Sequence, residues 1–183
     1  MKHEIHPIPA FTDNYIWTIR DDSAAVVVDP GDAQPVIDYL SGSGLTLAGI
    51  LVTHHHADHI GGIDALLERW NVPVFGPDDP RIPQVTRVVR EGDRIQVPHF
   101  GIELEILEVP GHTRSHIAYA GTGLVFCGDT LFAAGCGRLF EGTPAQMHRS
   151  LAKLAALPAD TRVYCTHEYT LSNVKFAKAV EPS

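Results

Sequence analysis

Long hydrophobic runs are missing from this sequence. No uninterrupted apolar segment approaches the ~20 residues that a membrane-spanning helix needs, so no membrane helix is predicted. The first seven residues, MKHEIHP, lack the apolar core of a secretory signal peptide. We therefore expect a protein that neither enters a membrane nor is exported.

Basic residues are scarce relative to acidic ones. The chain has 14 Lys and Arg against 22 Asp and Glu, which gives a formal net charge of -8. A nucleic-acid-binding surface needs clustered Lys and Arg, so we expect no nucleic-acid partner. A bound divalent metal would still make its own site locally positive despite the overall acidity.

Cysteine is also rare. The chain has three cysteines, an odd number, and none of them forms a CxxC pair. In a chain without an export signal, such cysteines are predicted to be reduced thiols of a cytoplasmic protein. A disulfide framework is therefore excluded, and a thiolate metal site is not favoured.

The 183 residues, 44% of them hydrophobic and 20% charged, are enough for one domain with a proper core, predicted over residues 1–183. Short apolar runs typical of strands alternate with segments of helical spacing. The predicted strands are 15–20, 24–29, 48–52, 72–76, parts of 85–109, 116–120, 124–127 and 163–165, and the predicted helices are 34–40, 60–70, one after Thr143 and a final one over 170–183. This mixture favours an α/β sandwich of two sheets back to back with helices outside.

The densest cluster of metal-binding side chains is the stretch THHHADHIGG, residues 53–62. It follows an apolar run that is typical of a buried strand. The potential ligands are His54, His55, His56, Asp58 and His59. Because side chains alternate along an extended backbone, the first and third histidines should face one side and the second the other. A turn would bring the last two ligands back to the same point, so we predict a loop that binds metal, with two ions rather than one.

Three later residues follow predicted strands in the same way. His112, Asp129 and His167 each come within a few residues of the end of an apolar strand. We therefore expect them to converge with the histidine-rich loop on one rim of the sheets.

The candidate ligands are His54, His56, Asp58, His59, His112, Asp129 and His167. A catalytic zinc usually takes three protein ligands and leaves a position for water, so two ions need six, and a seventh that is a carboxylate can bridge them. Imidazole and carboxylate without thiolate suit zinc, iron or manganese alike. We expect two divalent ions, with zinc as the first choice and iron or manganese as alternatives.

These residues resemble a known family. The pattern His54-x-His56-x-Asp58-His59 with the three later ligands is similar to the metallo-β-lactamase superfamily. Within it, IPAFTDNY at 8–15, GCGRLFEGT at 135–143 and THEYTLSN at 166–173 resemble glyoxalase II, the hydroxyacylglutathione hydrolases, and the likeness covers nearly the whole chain. The resemblance implies the four-layer αββα sandwich.

The resemblance also implies a role for each matching residue. The first metal would be held by His54, His56 and His112. The second would be held by Asp58, His59 and His167, with Asp129 bridging the two. The glutathione site would be lined by Arg138, Phe140, Tyr169 and Asn173.

The implied chemistry is thioester hydrolysis. Metal-bound water has its pKa lowered to roughly 7, so hydroxide is available to attack the carbonyl carbon. A thiolate, whose parent thiol has a pKa of ~8.5, can leave without a general acid. No catalytic side chain separate from the metal-bound hydroxide is therefore predicted. The expected reaction is hydrolysis of S-(2-hydroxyacyl)glutathione, such as S-D-lactoylglutathione, in the second step of methylglyoxal detoxification, by a monomer.

Several alternatives remain open at this stage. Glyoxalase II normally continues into a helical C-terminal domain that contributes to glutathione binding. The sequence is expected to lack this domain after the final helix, and we expect the loss to affect the affinity for glutathione. A lactonase or β-lactamase, a mononuclear-iron persulfide dioxygenase and a non-catalytic metal-binding module are the competing functions. Asp29 is predicted either to hydrogen-bond a ligating histidine or to cap its strand. His55 and His116 are predicted to be supporting or packing residues.

Overall fold

Two β-sheets form the body of the molecule in the computed structural model, which describes residues 3–181. The first sheet has the strand order β1-β2-β3-β4-β5-β6. Its strands are β1 (Glu4–Ala10), β2 (Asn14–Arg20), β3 (Ala24–Val28), β4 (Thr46–Leu51), β5 (Val74–Gly76) and β6 (Arg87–Val88). Strands β1 to β3 are antiparallel neighbours, whereas β3 to β6 run parallel.

The second sheet has the order β13-β10-β9-β8-β7. Its strands are β7 (Arg94–Gln96), β8 (Glu103–Glu108), β9 (Ile117–Gly121), β10 (Leu124–Gly128) and β13 (Arg162–Cys165). Strand β9 is antiparallel to both β8 and β10, and β10 is parallel to β13. The carboxyl ends of β8, β10 and β13 therefore lie at one edge of this sheet.

Residues 3–181 contain five helices, of which the first, third and fourth pack against the outer faces of the sheets. They are α1 (Ala33–Ser43), α2 (Ala57–Ile60), α3 (Ile63–Leu67), α4 (Pro144–Ala155) and α5 (Thr170–Val180). A small hairpin, β11 (Leu131–Phe132) and β12 (Gly135–Cys136), follows β10. No helix among residues 3–181 combines the length and the apolar character needed to cross a membrane.

The layer order follows from the alternation of side chains along β3. Ala25 and Val27 pack with Val36 and Leu40 of α1, whereas Val26 and Val28 pack with residues of the second sheet. On the far side of the second sheet, apolar side chains of β9 and β10 pack against α4. Because side chains alternate between the two faces of a strand, β3, which lies between α1 and the second sheet, is buried on both faces. The predicted four-layer αββα sandwich is confirmed.

One expectation about an individual element is wrong, and two features of the fold were not predicted. The helix predicted over 60–70 is two short helices, α2 and α3, separated at Gly61 and Gly62. The turn presses Gly62 against the start of α1, where an added Cβ would lie 2.5 Å from Ala33 N and 2.6 Å from Pro30 O. The strand β1 and the β11–β12 hairpin had no counterpart in the prediction.

The last predicted helix is found as α5. Residues 182 and 183 of that prediction lie outside the described residues, as do residues 1 and 2 of the predicted domain.

Candidate metal centre

The histidine-rich loop leaves the carboxyl end of β4 in an extended conformation. His54 is fully buried, and its Nε2 lies 3.1 Å from His56 Nδ1. The His55 ring points instead towards Asp79 and Glu141, with nitrogen–oxygen distances of 3.6 Å. The alternation predicted from the sequence is therefore confirmed.

Helix α2 then reverses the chain and brings His59 back to the loop. His59 is fully buried, and its ring centroid lies 4.0 Å from that of His54. Asp58, one residue earlier, is half-buried, and its Oδ2 lies 3.6 Å from His59 Nε2. A single turn of helix thus places both side chains beside the extended part of the loop.

The loops after β8, β10 and β13 supply the other three predicted residues. Two of them, His112 and His167, place donor atoms within 4.8 Å of those of the histidine-rich loop, in two of the three groups of potential ligands among the described residues; the third group is Asp29, His54 and His59. The first group is His54, His56 and His112, and the second is Asp58, His59 and His167. The structure thus brings together the residues that the sequence analysis selected.

Asp129 lies between the two groups. Its Oδ1 is 3.4 Å from His59 Nε2 in the second group. Its Oδ2 is 3.4 Å from His112 Nε2 in the first group and 3.4 Å from His167 Nε2 in the second. One carboxylate therefore faces ligand atoms of both groups.

Four of the histidines use the same ring nitrogen for an outward hydrogen bond. His112 Nδ1 donates to Arg138 O at 2.8 Å, and His167 Nδ1 lies 2.8 Å from Asp13 Oδ1. The corresponding Nδ1 atoms of His54 and His59 face Thr53 Oγ1 and Asp29 Oδ2, at 3.0 and 3.1 Å. A proton on Nδ1 leaves the Nε2 lone pair free to face inward, which is the arrangement found for metal-binding histidines.

Asp29 organises this part of the centre. Its carboxylate accepts hydrogen bonds from Thr53 N and Thr53 Oγ1, both at 2.7 Å, in addition to contacting His59. The prediction that Asp29 hydrogen-bonds a candidate ligand is confirmed. His116 is also a supporting residue, because its ring stacks on His54 at 4.5 Å and its Nε2 accepts a hydrogen bond from Asp129 N at 3.1 Å.

The electrostatics of the cluster favour a cation. Burial lowers the pKa of His54 well below its ordinary value and lowers that of His116 to about 3, so both rings are neutral at physiological pH. Burial would also lower the pKa of His59, but the nearby carboxylates of Asp129 and Asp29 outweigh it and raise that pKa. The centre therefore combines the neutral imidazole of His54 with carboxylates that favour positive charge at His59.

Two buried atoms at the middle of the cluster support the same conclusion. Among the residues that the structure describes, His59 Nε2 and Asp129 Oδ1 are buried and make no hydrogen bond. Buried polar atoms are normally paired, so such exceptions need an explanation. A divalent metal ligated by these atoms would satisfy both of them, and the donor set therefore fits a two-metal centre.

Two supporting residues, one on the turn between β1 and β2 and one at the start of β2, were not predicted from the sequence. Asp13 contacts His167, and Asn14 Nδ2 donates to Asp58 Oδ2 at 3.1 Å. Both lie in the IPAFTDNY stretch that carries the family resemblance, and that stretch was the signal available. Their contacts join residues 154 and 44 positions apart, so local spacing does not reveal them.

A cavity of about 660 Å³ opens above the centre. Arg138, Phe140 and Tyr169 line it, together with five of the candidate ligands. The Arg138 guanidinium lies 5.1 Å from the Phe140 ring centroid, and the Tyr169 ring stacks on His167 at 4.9 Å. Asn173 is not among the lining residues of this cavity, and its Nδ2 donates to Ala133 O at 3.0 Å.

Comparison with known proteins gives consistent matches. Residues 11–167 match the family model described as the metallo-beta-lactamase superfamily. The hydroxyacylglutathione hydrolase of Chromohalobacter salexigens is 61% identical, over 96% of this chain and 70% of that protein. The protein of the same name from Cupriavidus metallidurans is 57% identical, over 98% of this chain and 72% of that protein. The crystal structure of the BLEG-1 B3 metallo-beta-lactamase superposes with a TM-score of 0.81 at 26% identity, over 90% of this chain and 92% of that one.

Proposed function

This chain belongs to the metallo-beta-lactamase superfamily, and from that membership we propose that it is a metal-dependent hydrolase of S-(2-hydroxyacyl)glutathione thioesters. The observation that carries this proposal is the 57–61% identity, along nearly the whole chain, to relatives named hydroxyacylglutathione hydrolase. The convergent imidazole and carboxylate groups at the floor of a large cavity provide the chemistry that such a reaction needs.

Each group of donor atoms would hold one metal ion. His54, His56 and His112 would bind the first ion, and Asp58, His59 and His167 the second. The Asp129 carboxylate, which faces both groups at 3.4 Å, would bridge them. Zinc is the metal we propose, with iron or manganese as alternatives that the same ligand types accept.

Bound divalent metal supplies a hydroxide nucleophile at neutral pH and an electrophile for the carbonyl oxygen. The protein's own contribution is to orient the ligands and the substrate. The outward hydrogen bonds from the histidine Nδ1 atoms fix the ring orientations, because a ring that donates from one nitrogen presents the other as a lone pair. Asp29 and Asp13 therefore set the direction of two of the inward nitrogens.

A thioester suits this site better than an amide. The leaving thiolate has a parent pKa of ~8.5 and departs without protonation, so no proton donor needs to stand beside it. The tripeptide part of the substrate carries carboxylates, and Arg138 would bind one of them in a paired geometry. Phe140 and Tyr169 would form the walls around the thioester, and Asn173 would contribute indirectly through the hairpin that it contacts.

The monomeric state and the cytoplasmic location stay predictions from the sequence. The chain spans about 70% of the length of the relatives named above. The proposed activity therefore refers to this chain alone.

The test is steady-state hydrolysis of S-D-lactoylglutathione by the zinc-loaded chain, followed by treatment with a chelator. We expect saturable turnover that the chelator abolishes and that added zinc restores. If the chain cleaved simple thioesters but its rate did not saturate with S-D-lactoylglutathione, the substrate assignment would be wrong. If no thioester were cleaved, the function would be wrong, and lactone or persulfide chemistry would be favoured instead.

A further inference from the structure

Three charged side chains from two distant loops meet beside the metal centre. Arg81 forms a paired contact with Asp79, with Nε 2.8 Å from Oδ1 and Nη2 2.7 Å from Oδ2. The other side of the same guanidinium binds the carboxylate of Glu141. We call Asp79, Arg81 and Glu141 the Arg81 cluster. The cluster lines a second cavity, of about 650 Å³, which shares Phe140 with the cavity above the metal centre.

The hydrogen bonds around the cluster distinguish it from an ordinary surface ion pair. The Asp79 side chain is only 2% exposed, and it also accepts hydrogen bonds from Ser115 Oγ and from the backbone N–H of Arg81. Glu141 Oε2 accepts a second hydrogen bond, at 2.8 Å, from Arg114 N. Pairing with Arg81 lowers the pKa of Glu141 to about 2, so the carboxylate is ionised at neutral pH. Paired, charge-assisted hydrogen bonds of this kind fix geometry more strongly than single contacts.

The cluster also contacts the histidine-rich loop. The His55 ring lies between Asp79 and Glu141, at 3.6 Å from an oxygen of each, and is largely buried. His55 is therefore the point at which the loop that carries the candidate ligands meets the charged cluster. This contact accounts for the one histidine of the loop that faces away from the metal centre.

Glu141 is adjacent to the residues that form the cavity wall. Phe140 N and Glu141 N lie 3.2 and 3.4 Å from His112 O. The Phe140 ring packs edge-on against His56 and His112, with centroid distances of 5.5 and 5.3 Å. Because Phe140 is 58% exposed, its packing contacts alone fix the position of the ring only in part. The position of the wall therefore depends on the backbone of residues 137–142. Main-chain hydrogen bonds to Thr130, Gly111 and His112 hold part of this segment. The Glu141 side chain adds a further attachment, to Arg81 and to Arg114 N.

We propose that Arg81 and Glu141 position the segment 137–142, with Arg138 and Phe140, for binding of the glutathione part of the substrate. The inference rests on the proposed function. Neither residue lines the cavity above the metal centre, so both are positioning residues. Their effect should fall on KM for the glutathione thioester, because neither side chain hydrogen-bonds a candidate ligand, and the contacts of the segment with His112 are made by its backbone rather than by the Arg81–Glu141 pair.

Two substitutions break the same link in different ways. Arg81→Met removes the charge and keeps the length of the side chain, but it leaves the buried Asp79 without its main partner. Glu141→Gln keeps the size and an acceptor oxygen for Arg114 N, and it leaves the Arg81–Asp79 pair intact. The second variant therefore tests the proposal even if the first does not fold. Arg81→Lys is the conservative variant, because it keeps the positive charge but loses the planar guanidinium that makes paired hydrogen bonds.

The measurement is steady-state kinetics on S-D-lactoylglutathione and on a simple thioester that lacks the peptide, together with the metal content of each variant. For Glu141→Gln we expect KM for the glutathione thioester to rise about tenfold, because the segment loses one charge-assisted hydrogen bond that holds it in place. The kcat, the metal content and the rate on the simple thioester should stay near those of the unmodified chain. Arg81→Met should have an effect of the same kind, and Arg81→Lys should recover part of it. The double variant should be no worse than the more damaging single one, because both changes remove one shared contact.

Arg94→Met is the matched control, because it removes an ion pair with Glu103 and Glu105 between strands β7 and β8. Its KM should equal that of the unmodified chain. An unchanged KM in Glu141→Gln would overturn the proposal, as would a joint loss of metal and kcat, which would indicate a structural role. Failure of the unmodified chain to cleave the glutathione thioester would instead refute the proposed function.

Discussion

At the scale of single residues, Gly137 shows how the centre depends on a missing side chain. A Cβ built on Gly137 would lie 1.8 Å from Asp129 O and 3.0 Å from His112 Nδ1. A Cβ at such a distance from a backbone oxygen cannot be accommodated without a shift of the main chain. Asp129, whose carboxylate faces both groups of donor atoms, would therefore move.

We expect Gly137→Ala to weaken metal binding and to lower activity by about 10- to 100-fold, the range typical when the support of a ligand is disturbed. Metal retained after dialysis against a metal buffer, measured with kcat/KM, checks this. The control is Gly42→Ala in α1, where a Cβ meets nothing within 4 Å. That change should leave activity unaltered and stabilise the helix by about 0.5–1 kcal/mol. Equal metal retention in the two variants would contradict the prediction.

The sequence predicted the residues of the candidate centre better than the residues that support them. The candidate ligands could be selected because each is a strong donor type at the end of an apolar run. Asp13 could not be selected, because it is an ordinary turn aspartate until the fold places it beside His167, 154 positions away. Asp29 could be selected because it directly follows a strand. His116 was ambiguous because its predicted position on a strand fits a packing role equally well, whereas in the structure it directly precedes β9.

At the scale of elements, α4 links a local sequence signal to the turn that carries His112. Its start is a capping box, in which Thr143 Oγ1 accepts from Gln146 N at 3.3 Å and Gln146 Oε1 accepts from Thr143 N at 2.9 Å. Further along the helix, Ser150 Oγ donates to Pro110 O at 2.7 Å. The cap therefore stabilises a helix that braces the turn just before His112.

Thr143→Ala should lower the free energy of unfolding by about 1 kcal/mol, because the Gln146 N–H loses its capping acceptor. Thr143→Ser keeps the hydroxyl and should retain most of the stability. Urea denaturation of the two variants and the unmodified chain, all in chelator so that metal does not contribute, measures the difference. Equal midpoints for the alanine and serine variants would show that the cap contributes nothing.

The same elements show which structural signals a sequence carries. The capping box and the apolar face of α4 are local, and this helix was predicted to begin where it does. The break between α2 and α3 was not, because it results from the contact of Gly62 with residues 30–33. Two-residue strands such as β11 and β12 are too short to show an alternation and were missed for that reason.

At the scale of the whole molecule, the metal centre joins the two sheets. The histidine-rich loop extends from β4 of the first sheet, whereas His112, Asp129 and His167 follow strands of the second. The layer order could be predicted because the apolar runs are long enough to define strands. The closeness of the two rims could not, since it depends on how the sheets pack through side chains such as Tyr119, whose single hydroxyl hydrogen is shared between Val52 O and Phe75 O, at 2.9 and 3.1 Å.

A centre built from both sheets should stabilise the fold when metal binds. A ligand that binds only the folded state adds RT ln(1 + [L]/Kd), about 2.7 kcal/mol at a free concentration 100 times Kd. The unfolded chain keeps the local histidine-rich loop but loses the three ligands of the second sheet, so its affinity should be much lower. We therefore expect the midpoint of urea unfolding to rise clearly between chelator and excess zinc. In Asp129→Ala the same comparison should give a much smaller rise, because the carboxylate between the two groups is gone. Identical midpoints in chelator and in zinc for the unmodified chain would mean that the cluster does not bind zinc in the folded state.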